Sequence, residues 1–397
     1  MLARQFVQDG MKMIRKTRLM DRRNGCCARV SPRAGPAGRR WAARHGVAVA
    51  VAGLSLLLLS GCSSSPGAKP PPARSPLSYT NPVYAGSMPD PSVIRYRGLY
   101  YAFGTTGNRP LPDRRIFRVL RSPDLVGWEE VGGALTPPAS DRPYHYWAPE
   151  VAAHAGRFYL YYAMGGVEAE KFELRVAVSE QPEGPYADMG VKLTDCETNR
   201  FTIDAFPFRD DDGQWYLFYA RNFTNSAPGE HPGTALVVDR LLDMTRLAGD
   251  CRVVVRARYD WTLYEAKRRM DVYGATFDWH TIEGPCVVKH AGRYYCFYSG
   301  SNYQTERYGV DYVVADHPLG PYEGQGDRAR VLSGIPGQVR GPGHHSIVPA
   351  PDGRGQYVVY HAWDPAMRKR WMCIDPLVWT KEGPRCAGPT FTPQPPR

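Results

Sequence analysis

Five segments of this chain set an ionisable side chain shortly before a Gly-x-aromatic run: Asp90 before Gly98, Glu150 before Gly156, Asp204 before Gly213, Glu283 before Gly292 and His344 before Gly355. The four acids stand among Pro, Gly and apolar neighbours: Pro-Asp-Pro-Ser at 89–92, Trp-Ala-Pro-Glu at 147–150, Thr-Ile-Asp at 202–204 and Thr-Ile-Glu-Gly-Pro at 281–285. In this they differ from the Asp210, Asp211, Asp212 run, which reads as a solvated turn. One acid beside a proline is ordinarily a turn or cap residue, but four at matching places are not explained that way. Carboxylates crowded around one cavity repel each other and lose solvation, which raises some of their pKa values and leaves one protonated near neutrality. Hydrolysis of a glycosidic bond uses such a pair: an acid protonates the departing oxygen, and a carboxylate opposite activates water or attacks directly. Trp147, Phe206, Trp279 and Tyr303 are the aromatic candidates for stacking on sugar faces, although each has an equally ordinary role in a core.

The elements that must position these groups follow from the repeat. Gly, any residue, an aromatic and a run rich in Tyr, Phe and Val recur at Gly98, Gly156, Gly213, Gly292 and Gly355, at intervals of 58, 57, 79 and 63 residues. Each run is a strand by composition, its Gly closes a tight turn, and another short apolar strand precedes every turn. A third strand has its own echo, since Val176–Tyr186 (VAVSEQPEGPY) resembles Val313–Tyr322 (VVADHPLGPY). Amphipathic helical stretches are scarce, and Pro and Gly together number 76. Several short strands in a unit of roughly 40–60 residues predict an all-β, five-bladed β-propeller over residues 79–392. A pair of β-sandwiches would leave five similar copies unexplained. In a propeller the innermost strands line one channel, so the four acids and His344 are expected to ring its mouth.

Charge and cysteines concern the rest of the chain. Residues 1–61 hold 12 Lys/Arg against 2 Asp/Glu, so +10 of the net +11 lies there and the other 336 residues carry +1. A nearly neutral body excludes the nucleic-acid partner that the overall charge suggests. At 43% hydrophobic and 12% aromatic, it has ample material for a core. The basic segment ends in a thirteen-residue apolar run, Val47–Leu59, which is short of the roughly 20 residues that span a bilayer. It reads as a secretory signal, and Leu-Ser-Gly-Cys at 59–62 resembles a bacterial lipobox. The expectation is a leader over 1–61, a lipid anchor on Cys62 as the sole membrane contact, a Ser/Pro-rich tether over 62–78, and one domain over 79–397 at the cell envelope. A plain signal with a chance cysteine is the alternative. Six further cysteines, Cys196, Cys251, Cys286, Cys296, Cys373 and Cys386, permit three disulfides, with Cys286 and Cys296 facing each other across a hairpin, or else buried thiols.

At the acids the sequence resembles glycoside hydrolase family 43, five-bladed propeller enzymes acting on arabinose- and xylose-containing polysaccharides. The resemblance runs from Asn81 to about Trp379. It implies Asp90 as general base, Glu283 as general acid and Asp204 as the acid that tunes its partner and orients substrate. Glu150, Trp147 and Phe206 are expected at the substrate, and His344 near the channel centre, where members often hold calcium or water. The chemistry itself requires no cofactor. Ala205-Phe206-Pro207 after Asp204 departs from the family's usual sequence. The resemblance further implies inversion, with the base and acid roughly 6.5–9.5 Å apart to admit a water; about 5 Å would signal a retaining route. The expected activity is removal of terminal α-L-arabinofuranosyl residues from plant-type arabinan or arabinoxylan. A β-xylosidase, an endo-1,5-α-L-arabinanase and a non-catalytic sugar-binding propeller are the alternatives.

Overall fold

Each repeated run forms the second strand of a four-stranded antiparallel unit. The computed structural model describes residues 78–395, apart from 141–142, 168–169 and 196. The expected leader, the expected anchor Cys62 and tether up to residue 77, and Cys196 lie outside the described residues. In the first unit Ser92–Tyr96 pairs with Leu99–Gly104, and in the fourth Ile282–His290 pairs with Arg293–Gly300 around the expected turn at Ala291–Gly292. The innermost strands, Ser92–Tyr96, His145–His154, Thr202–Arg209, Ile282–His290 and Gly343–Pro349, each touch the next, and the fifth touches the first. That cyclic order closes the β-propeller that the repeat predicts.

Closure is reinforced where the first and last segments of the propeller meet. Tyr79 bridges Gln394, Tyr84 bridges Met372, and the Asn81 side chain donates to the Ile374 carbonyl at 2.8 Å. The Ser346 hydroxyl donates to the Pro91 carbonyl and accepts the Val93 amide, both at 3.0 Å, joining fifth unit to first. Strands buried on both faces are apolar throughout rather than alternating, as in Tyr216–Ala220. Cores form between neighbouring units, where Phe103, Phe117, Tyr162 and Tyr186 are fully buried. Each such ring is worth about 1.5–3 kcal/mol in burial alone. The echoed segments share a bond as well: Tyr186 donates its hydroxyl to Pro182 O at 2.7 Å, and Tyr322 donates to Pro318 O at 2.9 Å.

The third unit carries an extra hairpin, Leu263–Met270 with Ala275–His280, attached through the single parallel pair Gly233 and His280. Of the two cysteine readings the thiol one holds among the described residues: Cys286, Cys296, Cys373 and Cys386 are buried free thiols, and Cys251 is an exposed one. Cys286 lies opposite Phe297 and Cys296 opposite Val287, one step out of register, so their side chains leave the sheet on opposite faces and cannot bond.

Candidate functional site

One backbone device recurs at the same end of all five inner strands. Asp90, Ala148, Asp204, Gly284 and His344 all have positive φ, from 42° to 58°. In the last four strands the pairing register slips at this residue, the signature of a β-bulge. A bulge turns a side chain out of the alternation and into the channel. Asp and His tolerate the left-handed region better than most residues. At Gly284 a side chain would also be crowded, since a Cβ would lie 3.3 Å from the His344 ring. This register corrects one detail of the sequence reading: the second unit's counterpart of Asp90 and Asp204 is Ala148, while Glu150 sits two residues deeper.

Asp90 is held as an anion. Arg370 donates Nη1–H to its Oδ1 at 2.7 Å, and the carboxylate is 12% exposed. Burial alone would raise its pKa, but the Arg370 guanidinium, helped by His344, His361 and the Thr105 hydroxyl, holds it well below the usual carboxylate range. Both imidazoles are themselves driven towards neutrality, first by burial, so near neutral pH the guanidinium supplies the compensating charge. His361 accepts the Asp90 amide N–H on Nδ1 at 3.2 Å, which places its proton on Nε2. Arg370 in turn lies over the rings of Tyr303 and Trp363, at 4.9 and 5.8 Å from their centroids.

Asp204 and Glu283 are pushed the other way. Glu283 rises to about 7, first because it is buried, with the Asp90 charge adding to the shift and the Tyr308 hydroxyl and Arg370 offsetting part. Asp204 is raised by burial, then by Glu283 and Asp90, while the Gly284 N–H, donated to Oδ2 at 2.9 Å, favours its anion. The two titrate as a pair that keeps one proton near neutral pH. Tyr308 donates its hydroxyl to Glu283 Oε1 at 2.7 Å. His344 stands between the two aspartates, its Nδ1 3.5 Å from Asp90 Oδ1 and 3.9 Å from Asp204 Oδ2, and its amide donates to Ser299 Oγ.

Calcium at His344 fits these side chains poorly. The ion takes six to eight oxygen ligands, whereas Asp90 is engaged by Arg370, and Asp204 by the Gly284 amide and the shared proton. The reaction needs no cofactor, and none of its steps runs through an ion.

The remaining candidates divide. Glu150 lines a small axial cavity with Asp204, His344 and His345, and burial pushes it up to about 8 despite the nearby Ser92 hydroxyl. Its pKa in the folded state thus exceeds the unfolded value of about 4.3. Its contribution is therefore fully present below that value and is lost as pH rises through about 8. Glu150→Gln is expected to gain at least about 1 kcal/mol over the parent at pH 9 and little at pH 5, measured by urea unfolding at both pH values. His345 is buried with neither ring nitrogen hydrogen-bonded among the described residues, and burial lowers it to about 3. Trp147 stacks on Phe172, centroids 4.0 Å apart. Phe206 packs between two inter-unit cores, and Trp279 is buried against Tyr273 and Phe277. Trp279 thus serves packing, whereas Phe206 stays half-buried at the edge of those cores.

Arg370, His361, Tyr308 and Trp363 were not singled out by sequence. Only His361 carried a signal, lying inside the fifth repeat run that begins at Gly355, with Trp363 just beyond it; Arg370 reaches Asp90 because it pairs with Trp363 across the sheet.

Comparison with known proteins agrees with this geometry. Residues 79–384 match glycosyl hydrolases family 43. A β-D-galactofuranosidase of Aspergillus niger is 28% identical over 76% of this chain and 83% of its own length. An extracellular exo-α-(1→5)-L-arabinofuranosidase of Streptomyces chartreusis is also 28% identical, over 73% and 84%. The crystal structure of a thermostable family-43 glycoside hydrolase, 32% identical, superposes with a TM-score of 0.68 over 80% of this chain and 99% of that one. With three buried carboxyls in opposed protonation states at the mouth of a propeller channel, the chain is a glycosidase and belongs to glycosyl hydrolases family 43.

Proposed function

We propose that the enzyme releases terminal α-L-arabinofuranosyl residues from arabinan- or arabinoxylan-type chains with inversion at the anomeric carbon. The observation that carries this is the electrostatic split: Asp90 is kept ionised by Arg370, while the Asp204/Glu283 pair keeps a proton. Asp90 then takes a proton from water as its oxygen attacks the anomeric carbon, and Glu283 gives its proton to the departing glycosidic oxygen. Burial and the Asp90 charge keep Glu283 loaded, and Asp204 is assigned the role of adding to this through its nearby negative charge. After transfer, the Tyr308 hydroxyl stabilises the Glu283 carboxylate.

Exo action is supported by depth, since the side chains of Asp90 and Asp204 are only 12% and 5% exposed. A chain end reaches such groups more readily than a chain middle. The Streptomyces relative's exo-arabinofuranosidase activity points the same way. The Aspergillus relative favours a second reading, a β-D-galactofuranosidase. That sugar presents the same ring configuration as α-L-arabinofuranose and differs in its C4 substituent.

Nitrophenyl α-L-arabinofuranoside, β-D-galactofuranoside and β-D-xylopyranoside, with linear arabinan, test the reading. The expected result is the highest kcat/KM on the arabinofuranoside, single-sugar release from arabinan, and the β-anomer first by proton NMR. Faster turnover of either other glycoside, oligosaccharide products, or the α-anomer first would overturn the corresponding part.

The pH profile follows from the same split. Asp90 must be ionised and Glu283 protonated, so kcat/KM holds through mildly acidic pH and falls as pH rises through about 7. Removing the Tyr308 hydroxyl withdraws a bond that favours the Glu283 anion. In Tyr308→Phe the alkaline limb is therefore expected to move to higher pH, a shift that a purely structural role for Tyr308 would not produce.

We further infer export and lipid attachment at Cys62, supported by the basic flank and the Leu-Ser-Gly-Cys sequence. Mass spectrometry of the mature N-terminus in a bacterial host tests it, an unmodified Cys62 being the contrary result.

A further inference from the structure

Outside the catalytic cavity, the root of the extra hairpin brings three potential metal-binding side chains together. One ligand atom each from His231, Asp260 and His280 lies within 4.8 Å of the other two, and among the described residues no other group of three or more His, Cys, Asp or Glu does so. The imidazoles lie parallel, 4.1 Å apart and tilted by 7°, and His231 Nε2 is 3.9 Å from Asp260 Oδ1.

The backbone beneath them is fixed. His231 N–H donates to Ala257 O, His280 N–H to Pro232 O and Thr281 N–H to Thr262 O, all at 2.8–3.0 Å, so the three segments are stitched together beside the ligands. Gly233 allows this approach, since a Cβ there would lie 2.0 Å from the His280 carbonyl oxygen.

The tautomer of His280 can be derived. The Thr262 hydroxyl donates to Tyr259 O at 2.8 Å, leaving its oxygen to accept; the ring nitrogen 2.9 Å away, His280 Nδ1, must then carry the proton. Nε2 is left with a bare lone pair. An imidazole whose other nitrogen is tied to a hydrogen-bond partner is the usual form of a metal-bound histidine. Burial, then the neighbouring His231, pushes His280 down to about 4, so it is neutral at physiological pH.

We propose that His231, Asp260 and His280 form a binding site for a divalent transition ion of the zinc class. Two imidazoles and one carboxylate match the preferences of such ions rather than of calcium, and water completes a tetrahedral shell. Bonds of about 2.1 Å place tetrahedral ligands about 3.4 Å apart. The 4.8 Å group therefore closes by about an ångström, which the almost fully exposed Asp260 accommodates by side-chain rotation while the partly exposed His231 turns out of the stack to aim its in-plane lone pair at the ion. His280, 2% exposed, is the fixed anchor. The ion would fasten the base of the Leu263–His280 hairpin, whose Tyr264 lies close enough to Glu283 to feel its charge. It would thus hold one wall of the catalytic cavity without entering the reaction.

The test uses full-length protein without an affinity tag, stripped with chelator, and titrated with zinc by calorimetry and with cobalt by visible absorption. The expected result is one equivalent bound, with a raised thermal midpoint. Asp260→Ala and His231→Ala, both at exposed or partly exposed positions, should bind at least tenfold more weakly and lose the thermal shift while keeping the circular dichroism of the parent. Absence of stoichiometric binding in the parent, or parental affinity in both variants, would overturn the site; the latter would move the ion elsewhere, for example to the buried histidines near Asp90. Neither outcome depends on which sugar the enzyme prefers.

Discussion

Glu283→Gln is expected to lower kcat by about 100- to 10,000-fold on arabinan oligosaccharides. Gln keeps the shape of the side chain but cannot release a proton to an alkoxide. The loss should depend on the leaving group. A dinitrophenolate departs with little protonation, so on that glycoside the deficit should shrink to roughly tenfold or less. The decline above pH 7 should also disappear, because it reports the Glu283 proton. Measuring kcat across phenyl glycosides of graded acidity checks this. A deficit independent of the leaving group would remove Glu283 from the acid's role.

Asp90→Asn should reduce kcat by a comparable about 100- to 10,000-fold, but equally for all leaving groups, because it disables the attack of water rather than departure. Azide, a nucleophile that needs no base, should restore turnover and give a glycosyl azide of inverted configuration. The substitution also strips Arg370 of its carboxylate partner at 2.7 Å in a largely buried setting. Leaving one member of a buried pair is destabilising, so the thermal midpoint should fall and kinetics belong well below it. An azide product of retained configuration would contradict the inverting assignment.

The contrast between Asp90 and Arg370 shows what was legible in the sequence. Asp90, Asp204 and Glu283 sit in short local patterns, Asp-Pro-Ser, Ile-Asp and Ile-Glu-Gly-Pro, one repeat strand away from a countable Gly. The repeat itself gives the propeller, because five similar strand pairs can bury their faces only against one another. Arg370 has no such pattern; it is one of 50 Lys and Arg, and reaches the site through register with Trp363. Tyr308, just ahead of the third strand Gly309–Ala315, and His361, on the second strand Gln356–Trp363, likewise arrive from positions that only the tertiary fold aligns. Glu150 was assigned to the ring of acids by counting back from Gly156, and the bulge at Ala148 displaces it deeper. Phe206 follows Asp204 by two residues and returns to the strand's ordinary alternation, which lays it half-buried against two inter-unit cores. Residue counting fails wherever a bulge inserts, since one extra residue exchanges the two faces of a strand.

The left-handed bulge repeated on the inner strands has a consequence for how this scaffold changes chemistry. Backbone conformation at that height is supplied five times over, independently of which side chain is mounted there. Asp90, Asp204 and His344 use three of these sockets; Ala148 and Gly284 occupy two without presenting a functional group. The same backbone conformation carries an ionisable side chain in three units and none in two, so the group mounted at this height differs from unit to unit while the strand beneath it does not. Ala148 is the vacant mounting point, because Gly284 is hemmed in by the His344 ring.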